Sequence, residues 1–145
     1  MSYKRKTWRE KLADDKGLPK IAKVEGTMRK SWGTGTLVVP APREVDAAIR
    51  QIRKGRTATI NDLRAALAKK HRVDICCPIT TGIFAWIAAH AASEDEAEGK
   101  KRITPWWRVL KEGNKLNPKF PGGIEEQTRR LRAEGHKVEA GRKVA

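Results

Sequence analysis

The sequence predicts a mainly α domain of winged helix-turn-helix type, and three observations carry that prediction. Apolar residues recur at helical spacing in three successive segments between residues 43 and 92. A Gly113-Asn114 turn between short β-prone pieces follows them, as a wing would. A last amphipathic helix opens behind Gly122-Gly123. At 145 residues the chain has the size of one domain with one modest core.

Residues 1–36 carry ten basic and four acidic side chains and read as a basic N-terminal extension, with at most one short helix near Trp8 to Leu12. Trp8 and Trp32 are large for a segment that meets only water, so docking on the main domain or on a partner is expected. The domain proper is expected over 37–136, starting at Leu37-Val38-Val39 with Pro40 and Pro42 behind it. Val45, Ala48, Ile49 and Ile52 fall at i, i+3, i+4 and i+7 and predict a first helix over 43–53. Thr59, with Asp62 three residues on, resembles a capping box, and Leu63, Ala66 and Leu67 line a second helix. Behind the break from His71 to Cys77, Pro78 opens a third helix whose apolar face is read as Ile79, Ile83, Trp86 and Ile87, running on to Ala92. Glu94, Asp95, Glu96 and Glu98, followed by Gly99, predict a solvated acidic connection. Ile103 to Leu110, Leu116 and Phe120 belong to strands or loops. The last helix turns Ile124, Thr128 and Leu131 inward and Arg129, Arg130 and Arg132 outward, and stops at Gly135. Residues 137–145 read as a loose tail.

Thirty-two Lys and Arg stand against 17 Asp and Glu, a net charge of +15. That excess exceeds what solubility requires and makes a polyanion the first partner to consider, double-stranded DNA above all. Arg56, Arg64, Lys69, Lys70, Arg72, Lys100, Lys101 and Arg102 are the candidate phosphate contacts. No apolar run approaches the ~20 residues that cross a bilayer, and no apolar signal segment follows Met1. A monomeric, cytoplasmic, nucleoid-associated protein is expected. Cys76 and Cys77 are adjacent, which suits neither an ordinary disulfide nor a zinc site, and no metal or cofactor is expected.

Trp106 and Trp107, beside Arg108 and near Phe120, have the composition of a base-stacking platform, with Trp106 facing a pocket and Trp107 packing beside it. The stretches Pro105-Trp106-Trp107-Arg108-Val109, Phe120-Pro121-Gly122-Gly123-Ile124 and Leu131-Arg132-Ala133-Glu134-Gly135 together resemble the C-terminal half of the alkylguanine-DNA alkyltransferase family. That family carries Pro-Cys-His-Arg-Val, a loop with paired glycines and a helix ending in Glu-Gly. The resemblance covers about 40–136. It puts Trp106 where the family has its acceptor cysteine and Trp107 where it has the activating histidine, while Arg108, Val109 and Glu134 match directly. An indole offers no nucleophile comparable to a thiolate, so alkyl transfer at position 106 is excluded. Trp at that position is what the alkyltransferase-like proteins have, which bind alkylated guanine without repairing it and pass the lesion to nucleotide excision repair.

The resemblance therefore implies a non-enzymatic lesion sensor, with Trp106, Trp107, Arg108, Phe120 and Glu134 at the base pocket and repair proteins as further partners. It also implies that the third helix enters a DNA groove with Thr80, Thr81 and Phe84 near the bases. Thr81 stands where the family has the arginine that fills the gap of a flipped base, and Ile60 where it has the phosphate-turning tyrosine. Two other readings stay open: a general basic winged-helix regulator without a lesion pocket, and a divergent repair enzyme using Cys77, with His71 or His90 as base, or using Glu134.

Overall fold

A computed structural model describes residues 6–24, 35–139 and 143–144. The architecture is mixed α/β, with helix outweighing strand. Thr7 caps α1 (Trp8–Ala13): its hydroxyl accepts from the Glu10 amide while the Glu10 carboxylate accepts from the Thr7 amide. β1 (Lys20–Lys23) runs antiparallel to β2 (Thr36–Val39), with Lys20 opposite Val39 and Lys23 opposite Thr36. The basic extension thus contributes a helix and a strand, and Trp32 lies outside the described residues.

α2 (Pro42–Arg50) begins on proline, and the Glu44 carboxylate accepts from the Ala41 amide at 3.0 Å. β3 (Ala58–Thr59) leads into α3 (Ile60–His71), where Thr59 and Asp62 exchange amide-to-side-chain hydrogen bonds of 3.1 and 2.9 Å. Leu63 and Leu67 face the core, whereas Ala66 is exposed. β4 (Ile75–Cys76) joins β2 in parallel and completes a sheet of order β1-β2-β4. α4 (Pro78–Ala97) crosses the domain and meets α1, α2 and α3. A 3-10 turn at Trp106–Arg108 runs into β5 (Val109–Leu110), which pairs in parallel with β3.

α5 (Gly123–Ala133) follows Gly122, whose φ of +75° and 2.5 Å clearance between a built Cβ and Glu126 Cβ leave room only for glycine. It ends at a glycine turn: Gly135, at φ +92°, donates to Arg132 O, and the His136 amide donates to Leu131 O. The tail expected to be loose is paired where it is described. β6 (Val138–Glu139) and β7 (Lys143–Val144) run antiparallel, and Val138 and Val144 are buried with Leu110, Leu116 and Leu131.

Two expectations are corrected by the packing. α4 buries Ile87 and the alanines from Ala88 to Ala92 largely as expected and packs Trp86 against the core, but its first turns bury Thr81, Phe84 and Ala85 and leave Ile79 61% and Ile83 44% exposed, so the N-terminal half of its inward face is rotated from the predicted one. Three helices press on α4, and its small alanines let them close around the larger Phe84 and Ile87. The acidic residues Glu94, Asp95 and Glu96 lie on the last turns of α4, with Glu98 capping it, rather than in a solvated connection. There they bind other elements: Arg9 forks onto Glu98 at 2.6 Å and its amide donates to Glu94, Arg130 donates to Glu96, and Lys100 to Asp95.

Candidate functional site

The 3-10 turn holds the aromatic pair in two different environments. Trp106 is 1% exposed, edge-on to Phe120 with centroids 5.8 Å apart and to Trp107 at 5.9 Å. Trp106 was expected to face a pocket and Trp107 to pack. Instead Trp106 belongs to the main core and Trp107 is half-buried, because consecutive side chains on the turn diverge and Phe120 closes over the first. The Arg130 guanidinium lies 5.2 Å from the Trp106 ring and 5.0 Å from that of Trp107, and Arg108 lies 5.4 Å from Trp107. Both indole N–H groups are buried, and neither has a hydrogen-bond partner of full geometry among the described residues.

Arg108 is a clasp. Its Nε and Nη2 donate to the two Glu134 oxygens at 3.0 and 2.7 Å, and Nη1 donates to Ile52 O at 2.7 Å. One bidentate ion pair thereby ties the end of α5 to the 3-10 turn and to the chain leaving α2. Burial pushes the Glu134 carboxyl upward, but the Arg108 hydrogen bonds, the Trp107 indole nearby and the Gly55 amide outweigh it and hold the group below its ordinary value. The Trp107 N–H thus favours the carboxylate from nearby without the geometry of a full hydrogen bond.

Gln127, which sequence reasoning missed, is fully buried and braces the same turn. Its amide donates to Val109 O at 2.9 Å and Trp107 O at 3.2 Å, while its oxygen accepts from the Asn117 amide. The available signal was its place on the inward stripe of α5 between Ile124 and Leu131.

A second surface forms where α4 meets the chain from 111 to 119. Gly113 and Asn114, at φ +79° and +60°, close a hairpin in which the Lys111 amide donates to Lys115 O at 2.8 Å. Between it and α4 lies an open groove of about 460 Å³, lined on the helix by Ile79, Gly82, Ile83 and Trp86 and opposite by Lys111, Asn117, Pro118 and Lys119. Two of the expected base contacts are not on this surface. Thr81 is fully buried, its hydroxyl donating to Cys77 O at 2.7 Å, and Phe84 is core. Thr80 is half-buried.

The expected phosphate contacts divide. Arg56, Lys69, Arg72, Lys101 and Arg102 are exposed and make no ion pair with a described residue. Lys100 is held by Asp95 and Lys70 by Glu44. Arg64 is a brace, donating to Cys76 O at 2.8 Å and to Asn61, and Ile60 packs half-buried against the core at the start of α3.

Cys76 and Cys77 are buried. Desolvation pushes the Cys76 thiol up, outweighing the Thr81 hydroxyl and Arg64. Because the Thr81 proton points to Cys77 O, the Cys76 thiol is the donor in the 3.3 Å contact with Thr81, as a neutral thiol would be. Both candidate bases are engaged elsewhere: His71 lies 2.7 Å from Glu44, and His90 stacks on Trp8 with Nε2 3.0 Å from Lys119 O. Comparisons with known protein families, with curated proteins and with solved structures return no match for this chain.

Proposed function

We propose that this chain is a non-enzymatic, double-stranded-DNA-binding protein of winged-helix type, with the N-terminal half of α4 laid against the duplex and the Lys111–Lys115 hairpin as its wing. One observation carries the reading: an exposed helix face bearing Ile79 and Ile83 lies across a groove from Lys111 and Lys119 in a chain of net charge +15. Apolar and hydrogen-bonding contacts flanked by lysines suit a duplex, whose base edges lie between two rows of phosphates. Arg56, Lys101 and Arg102 extend the basic footprint.

The resemblance to alkyltransferase-like proteins makes an alkylated or extrahelical guanine the specialised ligand and repair proteins the downstream partners. Trp107 rather than Trp106 is the indole placed to meet such a base, since it keeps exposed surface beside Arg108. The burial of Trp106 favours a second reading, a general duplex binder with no lesion pocket. The enzyme reading finds less support: Cys77 is buried, the neighbouring Cys76 thiol is held neutral, and Glu134 is clasped by Arg108.

The test is fluorescence-anisotropy binding to matched duplexes with and without an O6-alkylguanine, for the parent chain and for Trp107→Ala. Tighter binding of the modified duplex, lost in Trp107→Ala, is the lesion-sensor result. Equal affinity for both duplexes overturns the lesion reading in favour of the general binder, and binding to neither overturns both.

A further inference from the structure

We infer that Ile79 and Ile83 form an apolar wedge that leans between base pairs and bends the bound duplex, with Gly82 opening the helix surface to the approaching sugar–phosphate chain. The inference rests on the DNA-binding reading above and names how that surface acts.

Three observations converge on it. Ile79 and Ile83, one helical turn apart, are 61% and 44% exposed, although α4 has an alanine-rich inward face and the domain needs neither for its core. Gly82 sits between them inside a 20-residue helix, where glycine is less stable than alanine. Its φ is not positive and a Cβ built on it would meet nothing within 4 Å, so neither backbone conformation nor internal packing calls for glycine. What glycine leaves at that position is clear space on the same groove, the condition for close approach of another backbone.

The chemistry of the rim selects the occupant. Lys111 and Lys119 stand opposite the isoleucines, and neither makes an ion pair with a described residue, so the groove offers cations along one side and an exposed apolar ridge along the other. A duplex presents phosphates to the lysines and, between them, the faces of base pairs that a branched aliphatic side chain can part. Inserted isoleucines and similar wedges kink DNA by about 20–90° in proteins that use them. A flexible pyrimidine–purine step would yield most readily, giving the protein a preference for deformable sites that requires no hydrogen bond to a base.

The experiment is resonance energy transfer between dyes at the two ends of a short duplex containing a central TA step, read together with anisotropy on the same duplex. The parent chain is expected to bind and to shorten the end-to-end distance. The Ile79→Ala/Ile83→Ala double variant, altered only at exposed positions, is expected to bind more weakly, and at concentrations where anisotropy shows the duplex saturated the shortening is lost. Gly82→Ala is expected to raise the melting temperature by about 2–4 °C and yet weaken binding. Binding without bending by the parent chain, or bending unchanged in the double variant, overturns the wedge and leaves the DNA reading standing. A chain that binds no duplex overturns both and returns the groove to a protein partner.

Discussion

Removing the Arg108 guanidinium tests what holds α5 to the rest of the domain. In Arg108→Ala the Glu134 carboxylate, whose side chain is 9% exposed, loses two charge-assisted hydrogen bonds, and Ile52 O loses the Nη1 donor. Breaking a buried pair from one side leaves an uncompensated charge and costs about 3–5 kcal/mol. Water entering beside Gly55 solvates part of that charge, so about 3 kcal/mol is the expected loss. Glu134→Gln keeps an acceptor for one guanidinium N–H and loses the charge, for about 1.5–3 kcal/mol. Because each single change already breaks the clasp, the double variant should fall well short of the sum of the two.

The pH dependence has a definite sign. Glu134 is held below its ordinary value in the folded chain, so the clasp contributes its full stability above the unfolded carboxyl pKa of about 4.3. That contribution is lost as pH falls through the lower folded value. Urea denaturation at neutral pH and at steps below pH 5 measures both effects, and Arg108→Ala should flatten the acid limb. A loss under about 1 kcal/mol, with the acid limb unchanged, would show that water screens the pair as it does a surface ion pair and would refute the reasoning.

Two further changes test the fold itself. Trp106→Ala opens a cavity beneath Phe120 and should cost about 3–5 kcal/mol in thermal or urea unfolding; a near-neutral result would contradict the burial of that indole. Thr59→Ala removes one acceptor of the α3 capping box and should cost about 1 kcal/mol, restored in large part by Thr59→Ser.

The helices were legible because their signals are local. Proline at the start of α2, the Thr59–Asp62 pair at α3, Pro78 at α4 and Gly135 behind α5 each act on the nearest turn. The strands were not, since most are two residues long and β2–β4 and β3–β5 join segments tens of residues apart, leaving no alternation to read. β1 is exposed along its length, so Lys20-Ile21-Ala22-Lys23 reads as a basic arm. The phase of α4 misled because hydrophobicity was taken to mark the inside. Close packing against three helices selected alanine and a buried Thr81 beside Phe84 and Ile87, and Ile79 and Ile83 in the first turns were left on the surface.

That displacement carried the candidate site with it. The composition at 105–108 drew attention to the right turn, but only the fold distinguishes a buried Trp106 from a half-buried Trp107 or clasps Glu134 with Arg108. The lysines at 111 and 119 join the proposed binding surface only through the fold, because the hairpin closes beside Ile79 and Ile83.

The most direct test of duplex binding through this face is the salt dependence of affinity for the parent chain and for Lys111→Ala/Lys119→Ala. Both lysines are exposed, so the fold should survive the change. If each meets a phosphate, affinity drops at every salt concentration and the slope of log K against log salt becomes shallower by about 1.8, close to 0.9 per lost contact. An unchanged affinity and slope would contradict the claim that DNA is held against α4 and the hairpin.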